Sequence, residues 1–256
     1  MLSFVGLGLY DERSVTIEGR DLIREADAVF AEFYTSELVG ATVSDIESYH
    51  DVEIDVRDRA GVEQDPEPIL AAAETGSAVF LTAGDPTVST THVDLRLRAH
   101  DRGIDTRIVH APTVQTAASG LTGLQNYRFG KATTIPFPWA HGGDGIPESV
   151  IETIADNRER GLHTIVYLDI KAESEAMLSG SKAASLLSDH WRGDVLAVVV
   201  GQAGSKSPTV EANRLDELAS MSFGNEPHLI IVPGELHPIE TDALEAFANA
   251  PSALLE

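Results

Sequence analysis

The chain contains no cysteine. Neither a disulfide framework nor a thiolate metal site is therefore available to it. It is also poor in positive charge. Against 41 Asp and Glu stand 18 Lys and Arg, a formal net charge of −23, and the only lysines are at 131, 171, 182 and 206. No basic patch with interleaved aromatics is visible, which disfavours a nucleic-acid-binding surface. No apolar run reaches the roughly 18 residues of a membrane span. Met1-Leu2-Ser3-Phe4-Val5 is too short for a signal h-region and follows no basic n-region. The histidines are scattered without zinc-protein spacing, so no metal is expected. Together these absences predict a soluble cytoplasmic protein without membrane or nucleic-acid partners.

The acids are spread over every segment rather than gathered in a tail. With 256 residues and 43% hydrophobic content, the chain still has enough apolar material for one or two compact domains. A dispersed acidic surface over a normal core suits concentrated salt, where a Debye length of about 3 Å screens self-repulsion. The expected source is a halophilic archaeon; an acidic mesophilic protein is the alternative.

The most informative stretch runs from Val79 to His92. Ala78 to Leu81 reads as a buried strand. Gly84-Asp85-Pro86 reads as a tight loop, and Val88 to Ala99 as a helix with Val93, Leu95 and Leu97 at its apolar positions. Strand, Gly-Asp-Pro loop and helix are the parts of an α/β ligand site, because ligands sit beyond the carboxyl ends of strands. An ordinary βα turn with an Asx-type Asp is the plain alternative.

Before it, Leu2 to Val5 reads as a strand leading into Gly6-Leu7-Gly8-Leu9, then a helix over 14–26 with Ser14 as its N-cap. The third glycine of a dinucleotide fingerprint is missing, which argues against classical NAD binding. The two glycines present still let the backbone approach a flat ligand. Strands are expected at Ala28 to Phe33, Val52 to Val56 and Thr106 to Val109. Helices are expected at Val43 to Tyr49, from Asp65-Pro66-Glu67-Pro68 to Ala73, and after Pro112. This βαβ spacing predicts a mostly parallel sheet, with a domain boundary dividing 1–112 from 113–256. In the second domain, strands are expected at Ala132 to Ile135, Thr164 to Ile170, Val195 to Val200, Thr209 to Ala212 and His228 to Val232. Helices are expected at Ile146 to Arg158, Ser174 to Trp191, Leu215 to Ser220 and Ile239 to Ala248. The short spacing between Val195 and Val232 predicts some antiparallel pairs, hence a mixed sheet.

Five stretches, in order, resemble the diphthine synthases, methyltransferases of the diphthamide pathway. They are Phe4-Val5-Gly6-Leu7-Gly8-Leu9, Glu32-Phe33-Tyr34-Thr35-Ser36 and the Gly84–His92 loop. Gly161-Leu162-His163-Thr164 with Leu168-Asp169-Ile170-Lys171, and Pro227 to His237, complete the set. The first and third are shared more loosely with tetrapyrrole methyltransferases. The resemblance implies a two-domain α/β, tetrapyrrole-methylase-like (class III) methyltransferase. It also implies S-adenosylmethionine bound in a cleft between the domains, a homodimer, and elongation factor 2 as protein substrate. The acceptor implied is the amine of a 3-amino-3-carboxypropyl group on a histidine of that factor, trimethylated to diphthine. Carried over by position, cofactor contacts fall on Leu9, Asp85, Val88, Thr113, Val114, Leu168, Ala203 and His228. The family usually has Met and Ala where Thr87 and Ser89 stand, and Ser at Thr113. Residues 136–145 match no family pattern and receive no role.

Read as residues alone, most of these positions have a plain alternative. Leu9, Val88, Val114 and Leu168 are ordinary core types. Thr113 can cap a helix, and a histidine opening a strand is more often structural than ligand-binding. Asp85 suits the cationic cofactor electrostatically. His92, Asp169 and Lys171 are the candidates for handling the acceptor, although no residue is assigned as catalytic base, since a buried site can favour the neutral amine by desolvation alone. Two other functions compete: a C-methyltransferase for a flat tetrapyrrole, for which so acidic a chain is a poor host, and a non-catalytic nucleoside-binding module.

Overall fold

The structure, a computed structural model, describes residues 1–143, 145–171 and 176–255. The chain divides into two compact units, Met1–Val114 and Gln115–Glu256. Thr113 and Val114 thus fall in the first unit rather than the second.

The first unit alternates strands and helices: β1 Leu2–Gly6, α1 Ile17–Glu25, β2 Ala28–Glu32, α2 Val43–His50, β3 Asp55–Val56, α3 Arg59–Glu63, α4 Glu67–Thr75, β4 Ala78–Thr82, α5 Val93–Asp101 and β5 Thr106–Val109. The five strands form one sheet in the order β3-β2-β4-β1-β5, and every pair is parallel. Its central strands are apolar on both faces, as a sheet covered on both sides requires. Leu2, Phe4, Phe30 and Phe80 pack with α4 and α5 residues on one face. Val5, Val29, Ala31, Val79 and Leu81 pack with Ile23 and Ile46 on the other.

The second unit begins within α6 Val114–Thr122 and continues with β6 Thr133–Ile135, α7 Glu148–Glu159, β7 Thr164–Leu168, β8 Ile170–Lys171, β9 Ala176–Met177, α8 Gly180–His190, β10 Leu196–Gly201, β11 Thr209–Arg214, α9 Leu215–Leu218, β12 His228–Val232 and α10 Pro238–Ala248. Its five-stranded sheet has the order β11-β10-β12-β7-β6. β6 and β7 are parallel, and the remaining neighbours are antiparallel. β8 and β9 form a separate hairpin. Ile135, Val166, Val199 and Ile230 supply one core face beneath α7, α8 and α9. No helix among the described residues is long and apolar enough to cross a membrane.

Several local expectations are corrected. The first helix starts at Ile17, and Thr16 caps it by accepting from Gly19 N–H at 3.0 Å. The Ser14 hydroxyl instead donates to the Leu9 carbonyl. The helix after the Gly-Asp-Pro loop starts at Val93, not Val88. Val93 and Leu97 are exposed, and Leu95 and Ala99 are buried. The two pairs occupy opposite helix faces, and the sheet takes only one of them. The expected strand over 52–56 shrinks to Asp55–Val56. The strand expected to run through Ile170 stops at Leu168 and re-forms as the small hairpin, while the following helix starts only at Gly180. The expected helical start at Ser174 lies outside the described residues.

Candidate methyl-donor site

In the first unit the site is built where β1, β4 and β5 end side by side. Gly8 N–H donates to Gly84 O at 3.1 Å, and Gly84 N–H donates to Gly8 O at 2.8 Å. This bridge ties the loop after β1 to the loop after β4. Both glycines adopt a left-handed backbone, with φ of 75° and 73°. A side chain there would be strained. A Cβ added to Gly84 would meet nothing nearer than Thr113 Oγ1, at 3.9 Å. The space beside the Gly84 backbone is therefore open, as a flat ligand approaching main chain requires.

Asp85 organises this loop from a nearly buried position, with 5% exposure. Its Oδ1 accepts from Thr87 N–H at 2.9 Å and from Thr87 Oγ1 at 2.6 Å. Its Oδ2 lies 2.8 Å from His110 Nδ1 and accepts from Ala111 N–H at 3.2 Å. Burial pushes the carboxyl group up. The hydrogen bonds from the Thr87 side chain and backbone, from His110 and from Ala111 more than offset it and hold the group below the usual carboxylate range. These contacts fill roughly the four acceptor positions a carboxylate offers. Asp85 therefore joins the β4 loop to the end of β5 while it closes the Asx-type turn on Thr87. Val88 N–H donates to Asp85 O at 3.2 Å, extending the turn. The Leu9, Asp85, Val88 and Thr113 positions sit on the loops following β1, β4 and β5, and Val114 opens α6 directly after the last of these loops.

His92 is not on the surface of this site. It is 3% exposed, with Nε2 at 3.3 Å from Glu32 Oε1 and Nδ1 at 3.4 Å from Thr82 Oγ1, and it packs edge-on against Phe80. Glu32 is itself fully buried and accepts from Tyr34 and Thr35 N–H, both at 3.0 Å. His92 thus braces the ends of β2 and β4, and a direct contact with an acceptor is closed to it. Sequence reasoning missed the partners Glu32 and His110. Glu32 had a signal: a lone acid closing an otherwise apolar strand.

In the second unit, antiparallel pairing brings the start of β12 beside the ends of β10 and β7. His228 is in register with Gly201, and Leu229 with Tyr167. Leu168, Ala203 and His228 therefore gather at one end of this sheet. His228 is 7% exposed, and its ring is fully engaged: Nδ1 accepts from Gly180 N–H at 3.1 Å, and Nε2 faces Phe223 O at 3.3 Å. That geometry fixes the neutral Nε2–H form, and burial lowers the ring's proton affinity. The imidazole caps α8, leaving the backbone of His228 as its route to a ligand. Asp169 Oδ2 accepts from Phe137 N–H at 3.1 Å and pairs with Lys171 Nζ at 3.1 Å. Among the described residues, no group of His, Asp or Glu is placed to hold a metal ion.

Comparison with known proteins matches this geometry to a family. Residues 1–219 match the sequence model of the Tetrapyrrole (Corrin/Porphyrin) Methylases. The chain is 62% identical to a diphthine synthase of Halorubrum lacusprofundi, with all of both chains covered. It is 63% identical, again over all of both chains, to a diphthine synthase of Halobacterium salinarum. A crystal structure of diphthine synthase superposes with a TM-score of 0.91 at 33% identity, covering 99% of this chain and 98% of the other. The family model and these relatives thus define an S-adenosylmethionine-dependent methyltransferase. Within that class, the chain belongs to the diphthine synthase family.

Proposed function

We propose that this methyltransferase acts on elongation factor 2. It methylates the amine of the 3-amino-3-carboxypropyl group on a histidine of that factor, in three rounds, and yields diphthine. The observation that carries the reading is the full-length likeness to proteins named diphthine synthase. Leu9, Val88, Thr113 and Val114 of the first unit, with Leu168, Ala203 and His228 of the second, supply backbone groups and apolar surface to the methyl donor. Asp85 holds its loop in shape and contributes negative charge near a cationic ligand. The reading includes a homodimer, as the family resemblance implies.

S-adenosylmethionine, when bound, supplies the electrophilic methyl carbon. The protein must hold the acceptor amine in line with the S–CH3 bond and keep water away. The amine is an ammonium in neutral water and must lose a proton before each attack. Desolvation in a closed site favours its neutral form, so position and exclusion of water carry the chemistry without a dedicated base.

The test is incubation in high salt with labelled S-adenosylmethionine and elongation factor 2 from cells blocked at this methylation. Label on the modified histidine is the expected result. Absence of label on the factor, with transfer to a precorrin-type substrate, would overturn the reading.

A further inference from the structure

The end of the second sheet that gathers Leu168, Ala203 and His228 carries a feature the donor site does not use. Strand β6 runs parallel to β7, with Ile135 opposite Leu168, so the residues after β6 emerge at the same end. There Phe137 and Trp139 stack, with ring centroids 5.3 Å apart and planes 26° from parallel. Trp139 is 64% exposed. The chain has only two tryptophans, and the other, Trp191, packs against the core. An exposed tryptophan stacked on a second aromatic is a ready recognition surface rather than core filling.

The stack walls an open groove of about 470 Å³, with Leu178 and Leu186 as its floor and Lys182 on its rim. That volume is within the roughly 300–1,000 Å³ of small-ligand sites. Charge sharpens the assignment. In a chain of net charge −23 with four lysines, Lys182 is exposed and makes no ion pair among the described residues. A second lysine, Lys171, pairs with Asp169, and Asp169 accepts the Phe137 N–H that anchors this loop. Half of the chain's lysines therefore bear on one short loop beside the proposed donor site.

We infer that this groove receives the modified histidine of the protein substrate, with Trp139 and Phe137 against the imidazole and Lys182 toward the carboxylate of the aminocarboxypropyl group. The inference rests on the proposed function and specifies how its substrate is held. An imidazole fits a stacked aromatic face, and a carboxylate fits a lysine on an otherwise acidic protein. The amine to be methylated shares a carbon with that carboxylate, so fixing the carboxylate fixes the nucleophile. Trp139 and Lys182 are specificity-determining residues, each contacting substrate away from the reacting atoms.

The experiment measures methyl transfer to elongation factor 2 bearing the unmethylated group, in high salt. Wild type, Trp139→Ala, Trp139→Phe, Lys182→Ala and Lys182→Glu are compared. Trp139→Ala should raise KM for the factor about tenfold, and Trp139→Phe should restore most of it. Lys182→Glu should raise KM more than Lys182→Ala. Calorimetric affinity for S-adenosylmethionine should stay at the wild-type value in all four, which separates a substrate groove from a folding defect. Unchanged KM in Trp139→Ala and Lys182→Glu, beside an active wild type, overturns the inference alone. Dissociation of a wild-type dimer by Trp139→Ala, seen in sedimentation, also overturns it, since the face would then join two copies. A wild type that transfers nothing to the factor overturns the proposed function and this inference together.

Discussion

The Nε2 of His163 lies 3.0 Å from Oε1 of Glu240, and both side chains are wholly buried. Gly234 N–H donates to His163 Nδ1 at 3.0 Å, so the ring proton sits on Nε2 and is given to Glu240. Glu240 also accepts from Gln125 N–H and His237 N–H, both at 2.8 Å, and from Arg128 at 3.2 Å. Burial alone would raise the Glu240 carboxyl group, but the His237, Gln125 and His163 hydrogen bonds hold it below the ordinary range. Two stretches that resemble the family, Gly161–Thr164 and Pro227–His237, therefore meet at one buried carboxylate. Their role is to fasten α10 to the sheet.

Glu240→Ala should be among the most damaging single changes. It strips partners from a buried histidine, an arginine and two backbone N–H groups at once. The expected loss is about 3–5 kcal/mol, the usual consequence of breaking a buried pair. Denaturant unfolding in high salt measures it. A loss below about 1 kcal/mol would show that the network contributes little.

Stability should fall as pH drops from neutrality toward about 4. His50 is fully buried, and neither ring nitrogen has a hydrogen-bond partner among the described residues. Burial pushes it down from 6.5 to about 4. Burial likewise lowers His163 and His228. Between the unfolded and folded values only the unfolded chain takes up the proton, so the folded state loses ground throughout that window. For His50 this amounts to about 3 kcal/mol once both values are passed. Asp85 and Glu240, both lowered in the folded state, add a loss of the same sign at lower pH. His50→Leu should flatten the profile between pH 6.5 and about 4; an unaltered slope would assign the effect to other groups.

Asp85→Ala should loosen the donor loop without unfolding the protein. The loop would lose the acceptor for Thr87, His110 and Ala111, each a bond to a charged group. Affinity for S-adenosylmethionine should fall about tenfold, and thermal stability by about 1–3 kcal/mol. Asp85→Asn keeps one acceptor oxygen for Thr87 but turns an amide N–H₂ toward the Ala111 N–H, so it should behave closer to Ala than to wild type. Calorimetry with unchanged affinity in both variants would leave the loop without a role in donor binding.

Removal of salt should unfold the chain. A net charge of −23 repels itself over a Debye length that grows from about 3 Å at 1 M to about 30 Å at 0.01 M. The exposed ion pairs, such as Arg102 with Glu67, are too solvated to compensate. Circular dichroism during dialysis should show loss of helix that returns with salt. A native spectrum at low salt would refute the adaptation inferred from composition, despite the relatives in Halorubrum and Halobacterium.

Much of the fold was legible because it depends on local pattern. Apolar pentads such as Ala78–Thr82 and Leu2–Gly6 form strands whatever their neighbours do, and their βα spacing forces parallel pairing. Helix starts were less legible, because the cap is chosen by which hydroxyl can reach an N–H. Thr16 reaches Gly19, whereas Ser14 is drawn back to Leu9. The exposed pair Val93 and Leu97 was misplaced for a related reason: apolar residues on both faces of a helix leave the buried face to the packing partner.

The sequence by itself determined the α/β class, the strongly acidic charge balance and, through motifs in order, the family. Composition and short-range spacing are properties of the chain alone. Only the tertiary structure decided what the polar residues in those motifs do. Asp85 is saturated by Thr87, His110 and Ala111; His92 faces Glu32; His228 caps α8; and His163 finds Glu240 across 77 positions. Such roles depend on burial and on which partner arrives from a distant strand, and neither is encoded in the few residues around the motif.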